Sequence, residues 1–277
     1  FSFIKNYYRK RGKKVPALVR KEAMFPANSV PLFNRYGIAL GFYIQTCGKM
    51  VVVLPGVPQE LENMFHDLVV PSIQKHFPKI PKRFPVIVKT VGAGEPEIMI
   101  KLGKDFFEDP FDFGIYPSAG EVALRLYASS SKIAARISAK IKKRLGSLIY
   151  AWSEKTLSQA VGELLLKKKK TLAVAESCSG GSLSAEITKI PGSSHYFRGG
   201  LTAYHSDIKR QIGVTAFALK NGEVNPRVAA ELARGVRASF NSDFGIGVTG
   251  IAGPGGGSKN KPVGLVYISI ADARKVR

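Results

Sequence analysis

The spacing of apolar positions changes several times along this chain, and each change marks a different element. Met50 to Val53 form a short apolar run closed by Pro55 and Gly56. Leu61, Met64, Phe65 and Leu68 then recur at three- and four-residue spacing, which predicts a helix entered from a strand through that turn. Prolines at 78, 81 and 85 disfavour both ladder and helix, so 77–85 reads as a linker. From 83 to 152 the pattern predicts a strand at Val86–Val91, a helix from Glu95 to Phe106 and a strand at Val122–Tyr127. A helix with Ile133, Ile137, Ile141 and Leu145 on one stripe follows, completing a small α+β module.

From 153 onward helix and strand alternate. Leu157, Val161, Leu164 and Leu165 make one helical stripe, and apolar runs predict strands at 171–175, about 198–204, 244–249 and 263–271. Asn225-Pro226 supplies an N-cap with proline at the first helical position, opening a helix whose Val228, Leu232, Val236 and Phe240 face inward. Such alternation predicts a doubly wound α/β sheet. The expected fold class is therefore multi-domain α/β, with boundaries at 1–82, 83–152 and 153–277. No internal repeat or low-complexity tract appears.

Composition narrows the function classes. The chain has 277 residues, 45% of them hydrophobic, which suits globular domains and argues against disorder throughout. No apolar run approaches the roughly 18 to 20 residues that span a bilayer, and the amino terminus lacks the apolar core of a secretory signal. A cytoplasmic location without membrane contact is the expectation. Cys47 and Cys178 lie far apart, so no disulfide framework is suggested. The chain starts at Phe1 and stops just after an apolar run, so both ends are expected to continue in a longer protein.

A net charge of +22 predicts attraction to nucleic acid, anionic lipid or phosphorylated small molecules without choosing between them. Lys5, Arg9, Lys10, Arg11, Lys13, Lys14, Arg20 and Lys21 carry part of it, and Lys167 to Lys170 another part. These runs read equally as solvated faces. Aromatics are not interleaved with them, which weakens a stacking platform for single strands. The turn Gly92-Ala-Gly-Glu95 also lacks the basic two-glycine clamp of RNA-binding KH modules.

The chemistry concentrates in the carboxy-terminal third. Ser177 follows a buried-strand run and precedes a helical pattern, the position where open α/β sheets place their reactive groups. Cys178 and Ser179 adjoin it, so three nucleophilic atoms compete and spacing does not rank them. A helix N-cap is the structural alternative for Ser177. Gly180 and Gly181 would let backbone amides approach a negative oxygen. No Gly-x-Ser-x-Gly elbow surrounds the serine, and His66, His76, His195 and His205 show no metal-binding spacing. Lys209, on a short helix capped at Ser206-Asp207 after Tyr204 closes a strand, is a candidate base. It would have to titrate about 3 units below its usual value to act at neutral pH. Taken alone it reads equally as a surface lysine. The glycine-rich loop 250–258 follows a strand and suits phosphate, although no Gly-Lys-Ser/Thr ending makes it a Walker loop.

Taken together, Ala175–Gly181 (AESCSGG), Pro191–Ser194, Gly199–Tyr204, Thr249–Pro254 and Lys261–Gly264 closely resemble the carboxy-terminal domain of the competence/damage-inducible CinA family. The resemblance implies a nicotinamide-nucleotide amidohydrolase (PncC-type) domain that converts nicotinamide mononucleotide to nicotinate mononucleotide and ammonia. By motif, the nucleophile falls on Ser177, the general base on Lys209 and an assisting tyrosine on Tyr204. Substrate contacts are expected from Glu176, Ser179, Gly180, Gly181, Thr249, Gly250, Gly253, Gly255 and Gly256. The family has threonine where this chain has Ser179. No metal or cofactor is expected for the amidase, a pyridine mononucleotide is the expected substrate, and a homo-oligomer is the expected assembly.

The resemblance extends forward. Ala27–Asn34, Gly37 and Leu54–Pro58 with Met64-Phe65 are similar to the end of the family's molybdopterin-binding-like (MoCF) domain, and 83–152 to its KH-like linker domain. The early Gly-Gly and Asp-Asp segment of that first domain is missing ahead of Phe1, and Leu40 stands where the family has proline. A divalent metal and an ADP-ribose pyrophosphatase activity would belong to this incomplete domain. The family's last domain also continues into a further helix, so one sheet face here is expected to be uncovered. A non-catalytic nucleic-acid-binding module remains the alternative that the charge motivates.

Overall fold

The computed structural model describes residues 1–108, 110–220 and 222–277 and divides into two compact units, 1–82 and 83–277. The first unit holds α1 (Ser2–Arg9), β1 (Val30–Leu32), β2 (Gly41–Thr46), β3 (Lys49–Val53), α2 (Pro58–Met64) and α3 (Val70–His76). Its strands form an antiparallel sheet in the order β1-β2-β3. The apolar run at 50–53 is β3, and Pro58 opens α2 at its first turn, where a proline's missing N–H costs nothing. Leu32, Met64 and Val69 are its buried centre, with Tyr43, Val52 and Ile73 packed around them. Asn34, fully buried, accepts from the Tyr36 and Gly37 amides and donates to the Ala39 carbonyl and the Glu60 carboxylate.

The second unit begins with β4 (Phe84–Val91), α4 (Glu95–Leu102), β5 (Phe111–Ser118), β6 (Glu121–Ala128), α5 (Ser131–Leu145) and β7 (Ile149–Ala151). These strands make one antiparallel sheet, β5-β6-β4-β7, built over Val88, Leu124, Leu126, Ile98, Ile137 and Ile141. Three details differ from the sequence expectation. Phe84 and Pro85 belong to β4 and not to a linker; β7 pairs only with Lys89 and Thr90, so β4 is an edge at Pro85, where sheets tolerate proline. The helix expected to reach Phe106 stops at Leu102, because Gly103 takes φ +72°, and a 3-10 turn follows. Strand β5 and the short β7 were not expected, since Gly114 and Pro117 dilute the alternation in one and the other has only three residues.

The remainder comprises α6 (Leu157–Lys168), β8 (Leu172–Glu176), α7 (Ser182–Thr188), β9 (Phe197–Thr202), α8 (Ser206–Gln211), α9 (Ala216–Leu219), α10 (Pro226–Ser239), β10 (Phe244–Gly250) and β11 (Val266–Ala271). The sheet order is β11-β10-β8-β9, with β10, β8 and β9 parallel and β11 antiparallel at the edge. Every residue of β8 is buried, as expected for a central parallel strand covered on both faces. Its Ala173 and Ala175 meet Val228, Leu232 and Val236 of α10. On the opposite face, Leu172 and Val174 meet Leu165, Ile187 and Tyr196. Asn225 caps α10 through a 3.0 Å bond from the Val228 amide. On the edge strand, Val266, Ile268 and Ile270 share the face of Ile246 and are exposed. No helix among the described residues is long and apolar enough to cross a membrane.

Candidate functional site

The carboxyl ends of parallel strands β8, β9 and β10 meet around one cavity of about 310 Å³. Ser177, Cys178, Tyr204, Glu223, Val224, Thr249, Gly250, Ile251, Ala252, Gly253, Gly255 and Gly256 line it. This is the crevice in which open α/β folds bind ligands. The structure thus brings Ser177, Tyr204 and the glycine loop together although up to 79 positions separate Ser177 from Gly256.

Ser177 is the first residue beyond β8. Its amide donates to the Val248 carbonyl at 3.0 Å, which carries the parallel ladder one residue further and fixes the turn. The chain then reverses through Gly180 (φ +59°) and Gly181 (φ +102°), the latter standing at the N-cap of α7. Ser177 is buried and lines the cavity.

Glu176 turns the other way. Fully buried, it accepts from the Gly181, Leu183 and Ser184 amides at 3.1, 2.9 and 2.8 Å and from the Ser184 hydroxyl at 2.7 Å. Burial alone would push this carboxyl up, but the bonds from Ser184 and Leu183 outweigh it and hold the group below its ordinary value. Glu176 is therefore the anionic cap of α7 and lies outside the cavity lining. The expectation that amides at Gly180 and Gly181 face an oxyanion is corrected by the same bonds. Gly181 N–H is taken by Glu176, and Gly180 N–H donates to the Ser177 carbonyl at 3.1 Å. Burial pushes the Cys178 thiol up despite the neighbouring Cys178 and Ser179 amides, with Glu176 adding to the rise and Lys209 opposing it. Ser179, Gly180 and Gly181, like Glu176, do not line the cavity.

Lys209 is not a surface lysine. It sits on α8, capped by the ring of His205 and not by Ser206 or Asp207, and its side chain is fully buried. Nζ donates to the Tyr204 carbonyl at 2.6 Å and to the Glu223 carboxylate at 2.5 Å. The Tyr204 side chain is 70% exposed, so the tyrosine's contact with Lys209 is made by its backbone. Ser206 also donates to Glu223. Burial would raise the Glu223 carboxyl, but the bonds from Lys209 and Ser206 and the Lys209 charge hold it below its ordinary value.

Glu223 is the site residue that the sequence reading missed. It lies in the loop before α10, 14 positions beyond its lysine partner, with no local periodicity to mark it. Thr249, fully buried, uses its hydroxyl to hold the Glu223 carbonyl at 2.9 Å. That bond anchors the loop to the end of β10, so the Thr249 hydroxyl supports the cavity wall. Gly250, Gly253, Gly255 and Gly256 do line the cavity, where missing side chains leave room for a ligand to approach the backbone. Among the described residues no cluster of His, Cys, Asp and Glu has the form of a metal site.

Comparison with known proteins gives the family. The family model described as "CinA C-terminal domain" matches residues 154–277. A relative from Caldicellulosiruptor saccharolyticus that bears a competence-damage inducible name is 38% identical over 278 residues, covering 97% of this chain and 67% of the relative. A similarly named one from Moorella thermoacetica is 38% identical over 275 residues, covering 96% and 66%. The chain thus spans about two thirds of the length of the curated relatives it matches. A crystal structure of the competence/damage inducible protein CihA from Agrobacterium tumefaciens matches 44% of this chain and 75% of its own, with 35% identity and a TM-score of 0.43. These names state no reaction.

Proposed function

Because this chain belongs to the CinA family of competence-damage inducible proteins, we propose that its cavity hydrolyses the amide of nicotinamide mononucleotide, giving nicotinate mononucleotide and ammonia. The observation that carries this reading is the burial of Lys209. Its side chain has no exposed surface and is hydrogen bonded to the Tyr204 carbonyl and to Glu223, which lines the same cavity as Ser177; this supports a base role for the lysine.

Ser177 attacks the carboxamide carbon while its proton passes to the Lys209 amine. The resulting oxyanion is assigned to the Cys178 and Ser179 amides, because the Gly181 amide is taken by Glu176. Collapse of the tetrahedral intermediate releases ammonia, with the proton from Lys209 going to the leaving nitrogen. Water then hydrolyses the nicotinoyl ester, the proton again moving through Lys209, and Ser177 is regenerated. A cysteine nucleophile reacts as its thiolate, and burial pushes the Cys178 thiol away from that form, which favours Ser177. The 249–258 loop holds the ribosyl phosphate, aided by the positive field of the chain. In this reading the amidase uses no metal or cofactor, and a homo-oligomer is its assembly.

The test is ammonia release from nicotinamide mononucleotide by wild type and by Ser177→Ala, Cys178→Ala and Lys209→Ala. Loss in the first and third with activity kept in Cys178→Ala is the expected result. An inactive Cys178→Ala beside an active Ser177→Ala would move the nucleophile by one residue.

A further inference from the structure

We propose that Glu223 is a positioning residue that aims the Lys209 nitrogen. A neutral amine nitrogen has two N–H groups and one lone pair. In this site two hydrogen-bond directions are already assigned, one to the Tyr204 carbonyl at 2.6 Å and one to the Glu223 carboxylate at 2.5 Å. When both N–H groups are anchored, the lone pair is left with a fixed direction. When the nitrogen is protonated, its third N–H occupies that same direction. A nitrogen pinned in this way accepts a proton from the nucleophile and returns it to the leaving group along one line, without a search over side-chain rotamers.

Each anchor is itself held. Tyr204 lies two residues beyond β9, and the Ala203 amide between them donates to the Glu176 carbonyl at 2.7 Å, so the Tyr204 carbonyl is tied to the same strand end as Ser177. Glu223 is gripped at its carboxylate by Ser206 and at its backbone by Thr249. Two strand ends and the start of α8 therefore converge on one nitrogen. The side chain of Glu223 is 37% exposed and the residue lines the cavity, so it links the buried lysine to the cavity wall. Charged and titratable groups near the pair include the Cys178 thiol, which feels the Lys209 charge, His205 with its neighbour Asp207, and Lys261, whose Nζ lies beside Gly222.

This inference rests on the Ser177–Lys209 reading, and its test separates the two. Ser177 is labelled with a fluorophosphonate, which needs an activated serine but no particular substrate, and the rate is followed by mass spectrometry from pH 5 to 10. Wild type, Glu223→Gln and Glu223→Ala are compared, each checked for cooperative thermal melting, together with ammonia release from nicotinamide mononucleotide. Glu223→Gln keeps an acceptor for Lys209 and loses the charge. It should label at its plateau within about 3-fold of wild type, with the rising limb of its pH profile moved toward acid, because no carboxylate then favours the ammonium. Glu223→Ala should lose about 100-fold in labelling rate at its plateau, with its rising limb moved toward acid as well. Equal rates and superimposable pH profiles for all three proteins would overturn the inference. Labelling of wild type without ammonia release would leave the positioning role standing and remove only the substrate assignment. A wild type that never labels at Ser177 would remove both.

Discussion

Glu176 and Ser184 are joined twice, by the Ser184 amide at 2.8 Å and by its hydroxyl at 2.7 Å, both to the same carboxylate oxygen. The pair locks the end of β8 to the first turn of α7 and so sets the turn on which Ser177 sits. Glu176→Gln replaces one acceptor oxygen with a donor that faces other donors, and should cost about 3 kcal/mol of stability. The sign of the pH effect follows from the carboxyl's position below its ordinary value of 4.5. The folded state favours the charged form, so this contribution is complete above 4.5 and is lost as pH falls through the lower folded value. Thermal melts between pH 3 and 7 should therefore show a shallower acid decline in Glu176→Gln than in wild type. Parallel declines would show that Glu176 does not contribute to acid sensitivity.

Close approach of α10 to β10 depends on glycine. A Cβ at Gly247 would overlap the Ala229 carbonyl and lie 2.6 Å from the Ala233 amide, both helix backbone that has no side chain to swing aside. Gly247→Ala should cost about 3 kcal/mol, measured by urea denaturation. At Gly255 a Cβ meets nothing within 4 Å, so Gly255→Ala should stay within about 0.5 kcal/mol of wild type. Equal midpoints for the two variants would contradict this packing account.

What the sequence discloses and what it hides divide along physical lines. The apolar run at 171–175 discloses β8 because a strand covered on both faces needs no polar position. Asn225-Pro226 discloses the start of α10 because capping is local chemistry. Lys209 is hidden because it differs from a surface lysine only through Tyr204 and Glu223, which reach it by tertiary folding. The glycines at 180 and 181 disclose a tight turn but not the fate of their amides, of which one goes to the Glu176 carboxylate and the other to the Ser177 carbonyl. Strand β5 is hidden because Gly114 and Pro117 blur its alternation, and only pairing with β6 along its whole length reveals it.

Asn225 serves two structures at once. Its side-chain oxygen caps α10 through the Val228 amide, and its nitrogen donates to the Ala218 and Gly222 carbonyls at 2.9 and 2.8 Å. Asn225→Ala should cost about 2 kcal/mol, at the upper end of cap deletions, because the loop carbonyls lose their donor as well. Asn225→Asp keeps the cap acceptor and loses that donor, so it should recover part of the loss. If Asp proved no better than Ala in denaturant melts, the cap would not be the main contribution.

The Lys209–Glu223 pair should respond asymmetrically to the loss of either partner. Lys209 is fully buried, whereas the Glu223 side chain is 37% exposed. Glu223→Ala leaves an ammonium enclosed with the Tyr204 carbonyl as its remaining partner among the described residues, and breaking a buried pair from that side should cost about 3 kcal/mol. Lys209→Met fills the same volume with an apolar chain and frees a carboxylate that still reaches solvent and keeps its bond from Ser206, so it should cost about 1 kcal/mol. Combining Lys209→Met with Glu223→Ala removes the enclosed charge altogether, and the double variant should be more stable than Glu223→Ala alone. Guanidinium denaturation of the three proteins gives the order directly. A double variant less stable than both single variants would mean that the pair's attraction is not what sets the cost, and that Glu223 supports its loop mainly through Ser206 and Thr249.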